Sequence, residues 1–183
     1  MKLLPFQVTF VFLLILAEVQ ELSAQKYSAE KGQIVFFSDA AIEDIRAENN
    51  LVGSLFNAAT GDLVYIVKIK DFKFHKSLMR EHFNEKYLES EKYPKSTFQG
   101  KIVGFKPGMG EEQKVRAVGK LMIHGVTRDV DVAGTIAMVN DRILMKSKFI
   151  VKLKDYNVKI PSLLWRNIAE EVEVTMDFTY KPI

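Results

Sequence analysis

The chain of 183 residues contains no cysteine and only three histidines. The absence of cysteine excludes disulfides, thiolate metal sites and a cysteine nucleophile. His75 and His82 are seven residues apart and would share one face of a helix. No third histidine, cysteine or close carboxylate pair accompanies them at a spacing typical of a metal site. We therefore expect no metal and no cofactor.

An excess of charge of one sign is also absent. The chain has 26 lysines and arginines against 23 acidic residues, a net charge of +3. Nucleic-acid-binding proteins usually concentrate basic residues in one patch or stripe. The composition therefore gives no support for a nucleic-acid partner.

Long apolar runs are missing as well. The densest run extends from Val8 to Ala17 and follows a single positive charge at Lys2. A membrane-spanning helix needs roughly 20 apolar residues, whereas a secretory signal peptide has a shorter core and a small residue at the cut. We expect residues 1–24 to be a signal peptide cleaved between Ala24 and Gln25; an uncleaved membrane anchor is the alternative. The mature chain would then be periplasmic or secreted, without a stable membrane anchor.

Motifs for catalysis are lacking too. There is no Gly-x-Ser-x-Gly nucleophile motif, and the glycine-rich segment from Gly104 to Gly110 lacks the Lys-Ser/Thr of a phosphate-binding loop. Acidic residues such as Glu171 and Glu173 are spread over outward strand positions, whereas paired catalytic carboxylates must converge. We assign no catalytic residue and expect that the protein is not an enzyme.

What the sequence does contain is alternation. From Glu171 to Tyr180, polar and apolar residues alternate at every position, which places one set on a buried face. Ile143–Lys154 and Lys114–Ile123 repeat this pattern. Further segments rich in β-branched and aromatic residues are Gln33–Ser38, Leu51–Asn57, Asp62–Phe72, Thr97–Phe105 and Arg128–Met138.

Turn residues such as His124-Gly125 and Asn140-Asp141 separate these segments. About eight strands at short spacing predict a sandwich or a closed barrel. Between Lys76 and Tyr87 the apolar residues follow helical spacing, with Ser77 as the candidate cap, so we predict one short helix. Ala40–Ala47 fits either a helical turn or an edge strand. Residues 25–183 contain no linker or repeat and are predicted to form one domain.

Two stretches carry a resemblance to a known family. Tyr93-Pro94-Lys95-Ser96-Thr97-Phe98 and the segment from Gly119 to Arg128 (GKLMIHGVTR) resemble, in order and spacing, the YceI-like family of secreted bacterial proteins. Lys148-Phe149 and Asp155-Tyr156-Asn157-Val158 continue the match, which covers roughly residues 30 to 181. The resemblance implies an antiparallel, eight-stranded, lipocalin-like barrel with a long apolar cavity that binds polyisoprenoids or similar long-chain amphiphiles. With the short helix, we predict an all-β fold of this type.

The inward positions of the strands mix large residues with small ones such as Gly119 and Ser147. Small inward residues leave room for a ligand, but they also fit a filled core, and an eight-stranded barrel can have either interior. The residue pattern alone leaves both open, and the resemblance favours a cavity in which Gly119 and Ser147 leave space. The residues expected to line it are Tyr65, Val67, Phe98, Ile102, Leu121, Met145, Ser147, Phe149, Val151, Val174, Met176 and Phe178.

Two charged features have competing interpretations. Four outward lysines between Lys146 and Lys154 could bind phosphate, but solvation of the strand explains their alternation and is favoured. Arg128 follows the turn at Gly125. The requirements of this tight turn could by themselves explain the sequence from His124 to Arg128. At the barrel rim, its guanidinium would instead suit an anionic head group.

The function that we expect is binding: the protein sequesters or carries a long-chain isoprenoid or other lipid inside the barrel. One alternative is a structural or interaction barrel with a packed interior. Another is a lipid-modifying enzyme that uses Ser147, Tyr65 or Tyr180. The sequence leaves open whether the protein is a monomer or a homodimer.

Overall fold

The computed structural model describes residues 26–39, 43–108, 111–160 and 169–183. The predicted signal peptide therefore lies outside the described residues. Within them the chain forms ten strands and one α-helix, α1, at Ser77–His82. The strands are β1 (Lys26–Ser38), β2 (Ile45–Asn49), β3 (Gly53–Asn57), β4 (Asp62–Lys68), β5 (Lys73–Phe74), β6 (Lys95–Val103), β7 (Gln113–Ile123), β8 (Val126–Val139), β9 (Arg142–Lys152) and β10 (Glu171–Pro182).

Eight of these strands close into an antiparallel barrel, as predicted. Their order is β10-β9-β8-β7-β6-β4-β3-β1, and β1 pairs back onto β10 to complete the ring. The pairing of β1 with β10 runs from Tyr27 opposite Pro182 to Phe37 opposite Glu173. Each of the eight strands of the ring therefore pairs with a neighbouring strand on both sides.

Strand β1 pairs with two different strands on the edge that faces away from β10. Its first residues, Lys26–Ser28, pair with β3, whereas Ile34–Ser38 pair with β2, which in turn pairs with β5. The register shifts between Ala29 and Lys31, and such a bulge bends a strand. After the bulge, the second half of β1 stays paired with β10 and carries the small β2–β5 extension on its other side.

The turns and the helix follow the predictions with two corrections. His124 and Gly125 both have positive φ, 50° and 73°, which is the backbone of a two-residue hairpin turn. The short helix is present and continues as a π-helical turn at Phe83–Tyr87. Ser77 is not its cap: Lys76 occupies that position, without a side-chain hydrogen bond. The strand predicted at Asp62–Phe72 ends at Lys68, because Ile69–Asp71 forms a 3₁₀ turn.

The segment that fitted either a helical turn or an edge strand contains β2. Strand β2 begins at Ile45 and pairs with β1 on one side and β5 on the other. Residues 40–42 lie outside the described residues. For the part that is described, the segment is a strand from Ile45 onward, but it is paired on both sides and is therefore not an edge strand.

The outward lysines of β9 face acidic residues of β10. Their amine–carboxylate distances are 3.6, 2.9 and 3.3 Å for the pairs Lys146–Asp177, Lys148–Glu173 and Lys152–Glu171. Each lysine therefore has a carboxylate partner on the neighbouring strand, and the pairs lie in solvent on the outside of the barrel.

Candidate functional site

A cavity of about 430 Å³ occupies one half of the barrel interior. It lies at the end where β4, β7 and β9 finish and β10 begins, which we call the cavity end. Inward residues of these strands form its wall, and the helical segment forms part of its rim. The apolar lining residues are Ile34, Phe36, Ile45, Val67, Ile69, Phe72, Phe74, Leu78, Met79, Phe83, Leu88, Leu121, Ile123, Phe149, Val151, Leu153, Val158, Val172, Val174 and Met176.

Four phenylalanines hold the helical segment against the β1–β2–β5 sheet. Phe83, in the π-helical turn, stacks on Phe36 of β1 with ring centroids 5.3 Å apart. The Phe83 ring also meets Phe72 at 5.6 Å and Phe74 at 4.9 Å. Aromatic contacts of this kind stabilise beyond the burial of their area. They fix one side of the cavity by joining elements that are distant in the sequence.

Two hydroxyl groups in the wall of the large cavity have partners within the protein. The Ser96 hydroxyl donates to the carbonyl oxygen of Met122 at 2.7 Å. The Ser38 hydroxyl oxygen accepts the backbone N–H of Ala169 at 3.0 Å. Because these groups are satisfied, the wall presents a mainly apolar surface to an occupant.

Among the described residues that line the large cavity, the charged side chains lie at its mouth. Glu43 and Lys76 line the rim and form an ion pair with each other, and His82 lines it from α1. Leu78 of the same helix is 58% exposed although it borders the cavity. The site is thus an apolar chamber with a charged, accessible entrance.

The opposite half of the barrel is packed. Tyr180, Phe56, Ile136 and Ile143 are almost completely buried there. Ser54 donates to the carbonyl oxygen of Val64, so the Tyr180 hydroxyl donates to Ser54, at 2.7 Å. A small cavity of about 60 Å³ remains between this packed end and the large cavity.

The predicted lining residues divide between the two cavities. Those that line the large cavity are Tyr65, Val67, Leu121, Phe149, Val151, Val174 and Met176. Those that border only the small cavity are Phe98, Ile102, Met145, Ser147 and Phe178. All twelve therefore border one of the two cavities, but five lie below the chamber that is large enough for a ligand. Contact of these residues with a ligand stays a prediction.

Arg128 lines neither cavity. It lies exposed at the cavity end, where its Nε donates to the carbonyl oxygen of Asp155 at 2.9 Å. This bond holds the turn after β9 against the start of β8. A contact with a ligand head group stays a prediction.

Gly119 does not provide space, so that expectation is wrong. Gly119 of β7 lies opposite Gly100 of β6. A Cβ added at Gly119 would lie 2.4 Å from the carbonyl oxygen of Gln99 and 2.5 Å from the Cα of Gly100. The two glycines allow a close approach of the strand backbones, and the room for a ligand lies elsewhere.

Sequence reasoning missed the part of the site that lies outside the strictly alternating strands. Phe36, Phe72, Phe74 and Phe83 were not among the predicted lining residues. Phe72 and Phe74 are two residues apart, as are Ile34 and Phe36, so the period of two was present but short. Their convergence depends on the bulge in β1 and on the docked helix, which local patterns do not reveal.

The residues considered for an enzymatic alternative do not form an acid–base arrangement. Ser147 donates to the backbone carbonyl of Ala133 at 3.0 Å, and Tyr180 is bonded to Ser54. Burial raises the pKa of the Tyr65 hydroxyl, which keeps it neutral.

Among the residues that the structure describes, no group of three or more His, Asp or Glu side chains could hold a metal. Within the same residues, no helix has the length and apolarity to cross a bilayer.

Comparison with known sequences identifies a family. Residues 21–180 match the family model described as the YceI-like domain. None of the curated proteins matches the chain.

Several solved structures have the same fold. A polyisoprenoid binding domain from Saccharophagus degradans, implicated in plant cell wall breakdown, is 16% identical, with a TM-score of 0.73 over 86% of this chain and 98% of its own. Burkholderia cenocepacia BcnA is 18% identical, with a TM-score of 0.69 over 81% of this chain and 95% of its own. The Campylobacter jejuni YCEI protein is 16% identical, with a TM-score of 0.60 over 75% of this chain and 85% of its own. At these identities the likeness shows the fold alone.

Proposed function

Because the chain belongs to the YceI-like family, we propose that it is a non-enzymatic protein that binds one long apolar chain, a polyisoprenoid or fatty-acid-like lipid, inside the barrel. The observation that carries this proposal is the cavity of about 430 Å³ with its mainly apolar wall. The S. degradans domain of the same fold, which is described as polyisoprenoid binding, supports it.

The cavity volume suits a chain of moderate length. At roughly 30 Å³ for each water-sized unit, 430 Å³ accommodates about 14 chain atoms. At ~0.8 kcal/mol per buried methylene, these contribute about 11 kcal/mol. Association costs of at least ~4 kcal/mol leave about −7 kcal/mol, a dissociation constant of about 10 µM. A longer polyisoprenoid would extend through the mouth.

The polar end of the ligand is expected at the mouth. The ion-paired side chains of Glu43 and Lys76 border the cavity there, as does the imidazole of His82, whereas the opposite end of the barrel is packed. Arg128 is exposed at the same end and is proposed to contact an anionic head group. Arg128→Gln is then expected to weaken binding of a long-chain fatty acid but not of the matching alcohol.

The proposed location is the periplasm or the exterior of the cell, with a cleaved signal peptide. N-terminal sequencing of protein recovered outside the cytoplasm should begin at or near Gln25. Recovery of the full-length chain from the inner membrane would contradict this proposal.

Native mass spectrometry, combined with solvent extraction of the purified protein, tests the binding function. Val174 lines the large cavity from β10, so Val174→Trp should fill it. Ile150 of β9 is 53% exposed on the outer face, and Ile150→Trp provides the matched control. We expect a co-purified or added oleic acid molecule on the parent and on Ile150→Trp, and at least a tenfold loss in Val174→Trp. A parent protein that neither carries nor takes up an apolar chain would contradict the proposal.

A further inference from the structure

The large and small cavities share four lining residues. Tyr65, Leu121, Phe149 and Met176 border both spaces, which are about 430 and 60 Å³ in volume. The four residues come from β4, β7, β9 and β10, four different strands of the ring. They therefore form a partition across the barrel between the chamber and the small space below it. We call these four residues the floor.

Neighbouring residues hold Tyr65 and Leu121 of the floor in place. The Tyr65 ring stacks on Phe98 with centroids 5.1 Å apart and an interplanar angle of 15°. It also lies 6.5 Å from the Phe178 ring. Leu121 is only 4% exposed. Rotation of either Tyr65 or Leu121 would disturb well-packed neighbours.

Met176 differs from Tyr65 and Leu121. It is unbranched and has flexible rotamers, which lets methionine fill irregular gaps. Its partner on β9 is Ser147, a small residue that lines the small cavity. A shorter side chain at position 176 would therefore open a path beside Ser147 from the chamber into the small space.

We propose that the floor sets the maximum length of apolar chain that the cavity can bury and that Met176 is the length-determining residue of the floor. This inference rests on the binding function proposed above. A chain that enters from the mouth, where Lys76 and His82 lie, advances until its end meets the floor. Methylenes beyond that length stay outside the cavity and add little to affinity.

The expected increase in the length of the buried chain follows from the volume of the small cavity and from the atoms that the substitution removes. The small cavity of about 60 Å³ holds roughly two further chain atoms at ~30 Å³ each. Met176→Ala removes three heavy atoms, which frees room for roughly three more on the same measure. The longest chain that is fully buried should therefore increase by about four to five carbons.

Straight-chain fatty acids of graded length, from about 10 to 22 carbons, test the proposal. Their affinities are measured below their micelle concentrations by displacement of a fluorescent polarity probe. In the parent, affinity should rise by up to about fourfold for each methylene, the equivalent of ~0.8 kcal/mol, and then reach a plateau. In Met176→Ala the plateau should begin at a chain length about four to five carbons greater than in the parent.

Met145→Ala is the matched control. Met145 and Met176 are both 8% exposed, but Met145 borders only the small cavity. Met145→Ala should leave the plateau at the parental length. Should Met176→Ala fail to fold, as judged by circular dichroism, Met176→Val is expected to move the plateau in the same direction by fewer carbons.

The outcomes separate this proposal from the binding function. A folded Met176 variant with an unmoved plateau, or an equal shift in Met145→Ala, would overturn the proposed role of the floor. The proposal of lipid binding would then still stand. A parent that binds no fatty acid of any length would overturn both.

Discussion

His124 lies buried at the cavity end with its Nε2 2.8 Å from Oε2 of Glu89 and its Nδ1 3.2 Å from the carbonyl oxygen of Tyr156. The ring of Tyr93 packs against it with centroids 4.5 Å apart. Each of these contacts is adjacent to a cavity wall: Ile123 precedes His124, Leu88 precedes Glu89, and Tyr156 itself lines the cavity. One side chain thus joins the β7–β8 turn, the loop after the helical segment and the turn after β9.

Removal of this junction should destabilise the protein. His124→Asn tolerates the positive φ at this position but is too short to replace both contacts. Loss of buried hydrogen bonds of this kind costs about 1–3 kcal/mol in the free energy of unfolding, which urea denaturation measures. Glu91→Gln is the control, because Glu91 is 89% exposed in its ion pair with Lys70. Equal stabilities of the two variants would contradict the assigned role of His124.

The close approach of β6 and β7 gives a second prediction. Gly119→Ala places a Cβ 2.4 Å from the Gln99 carbonyl oxygen, so the strand backbones must separate. Overpacking of this kind costs about 1–3 kcal/mol or more, and urea denaturation should show the loss.

Gly53→Ala is the matched control for this prediction. A Cβ at Gly53, in β3, would meet nothing within 4 Å. Alanine there should be neutral or should stabilise by up to about 1 kcal/mol, because it restricts the unfolded chain. A Gly119→Ala variant as stable as Gly53→Ala would show that the strands can separate without cost.

The barrel was predictable where strands alternate without interruption. In β10, every residue from Glu171 to Tyr180 alternates, and the strand in the structure extends from Glu171 to Pro182. By contrast, β1 begins at Lys26, seven residues before the predicted start at Gln33. Its first half includes the sequence Ser28-Ala29-Glu30-Lys31, which is polar and carries the bulge, so alternation fails there. A strand that closes a ring is held by its partners as much as by its own pattern.

The candidate site was predictable only in part. Inward residues of long strands, such as Phe149 and Met176, could be assigned from their period of two. The sequence could not show which end of the barrel is hollow, because the position of the cavity depends on packing between elements that are distant in the sequence. Phe83 and Phe36 are 47 positions apart by residue number and yet stack at 5.3 Å. The close approach of the backbones at Gly119 also depends on a partner strand, so the pattern of β7 alone could not reveal it and the expectation of room for a ligand there was wrong.

The third prediction concerns the ion pairs between β9 and β10. Because Lys146, Lys148 and Lys152 each face a carboxylate, phosphate would have to compete for them. Phosphate should therefore raise the melting temperature of the parent and of the variant with all three lysines changed to glutamine by the same amount, through its general exclusion from the surface. An increment confined to the parent would revive the phosphate-binding interpretation.

The last prediction concerns the alkaline limb of the stability profile. Burial raises the pKa of the hydroxyls of Tyr65 and Tyr180. An unfolded tyrosine loses its proton near pH 10, whereas these two retain theirs in the folded protein at higher pH. Above about pH 10 the folded state therefore binds more protons than the unfolded state, and stability falls as the pH rises, by up to about 1.4 kcal/mol per pH unit for each buried hydroxyl. Below that pH the two hydroxyls are protonated in both states and contribute no pH dependence.

The variant Tyr65→Phe isolates one of these two contributions. Phenylalanine keeps the ring that stacks on Phe98 and removes the ionisable group. Urea unfolding between pH 9.5 and 11 should give a shallower decline of stability for the variant than for the parent. All other ionisable groups are common to both proteins, so the difference in slope belongs to Tyr65. Parallel declines in the two proteins would show that the Tyr65 hydroxyl ionises in the folded barrel as readily as in the unfolded chain, which would require water to reach the floor of the cavity.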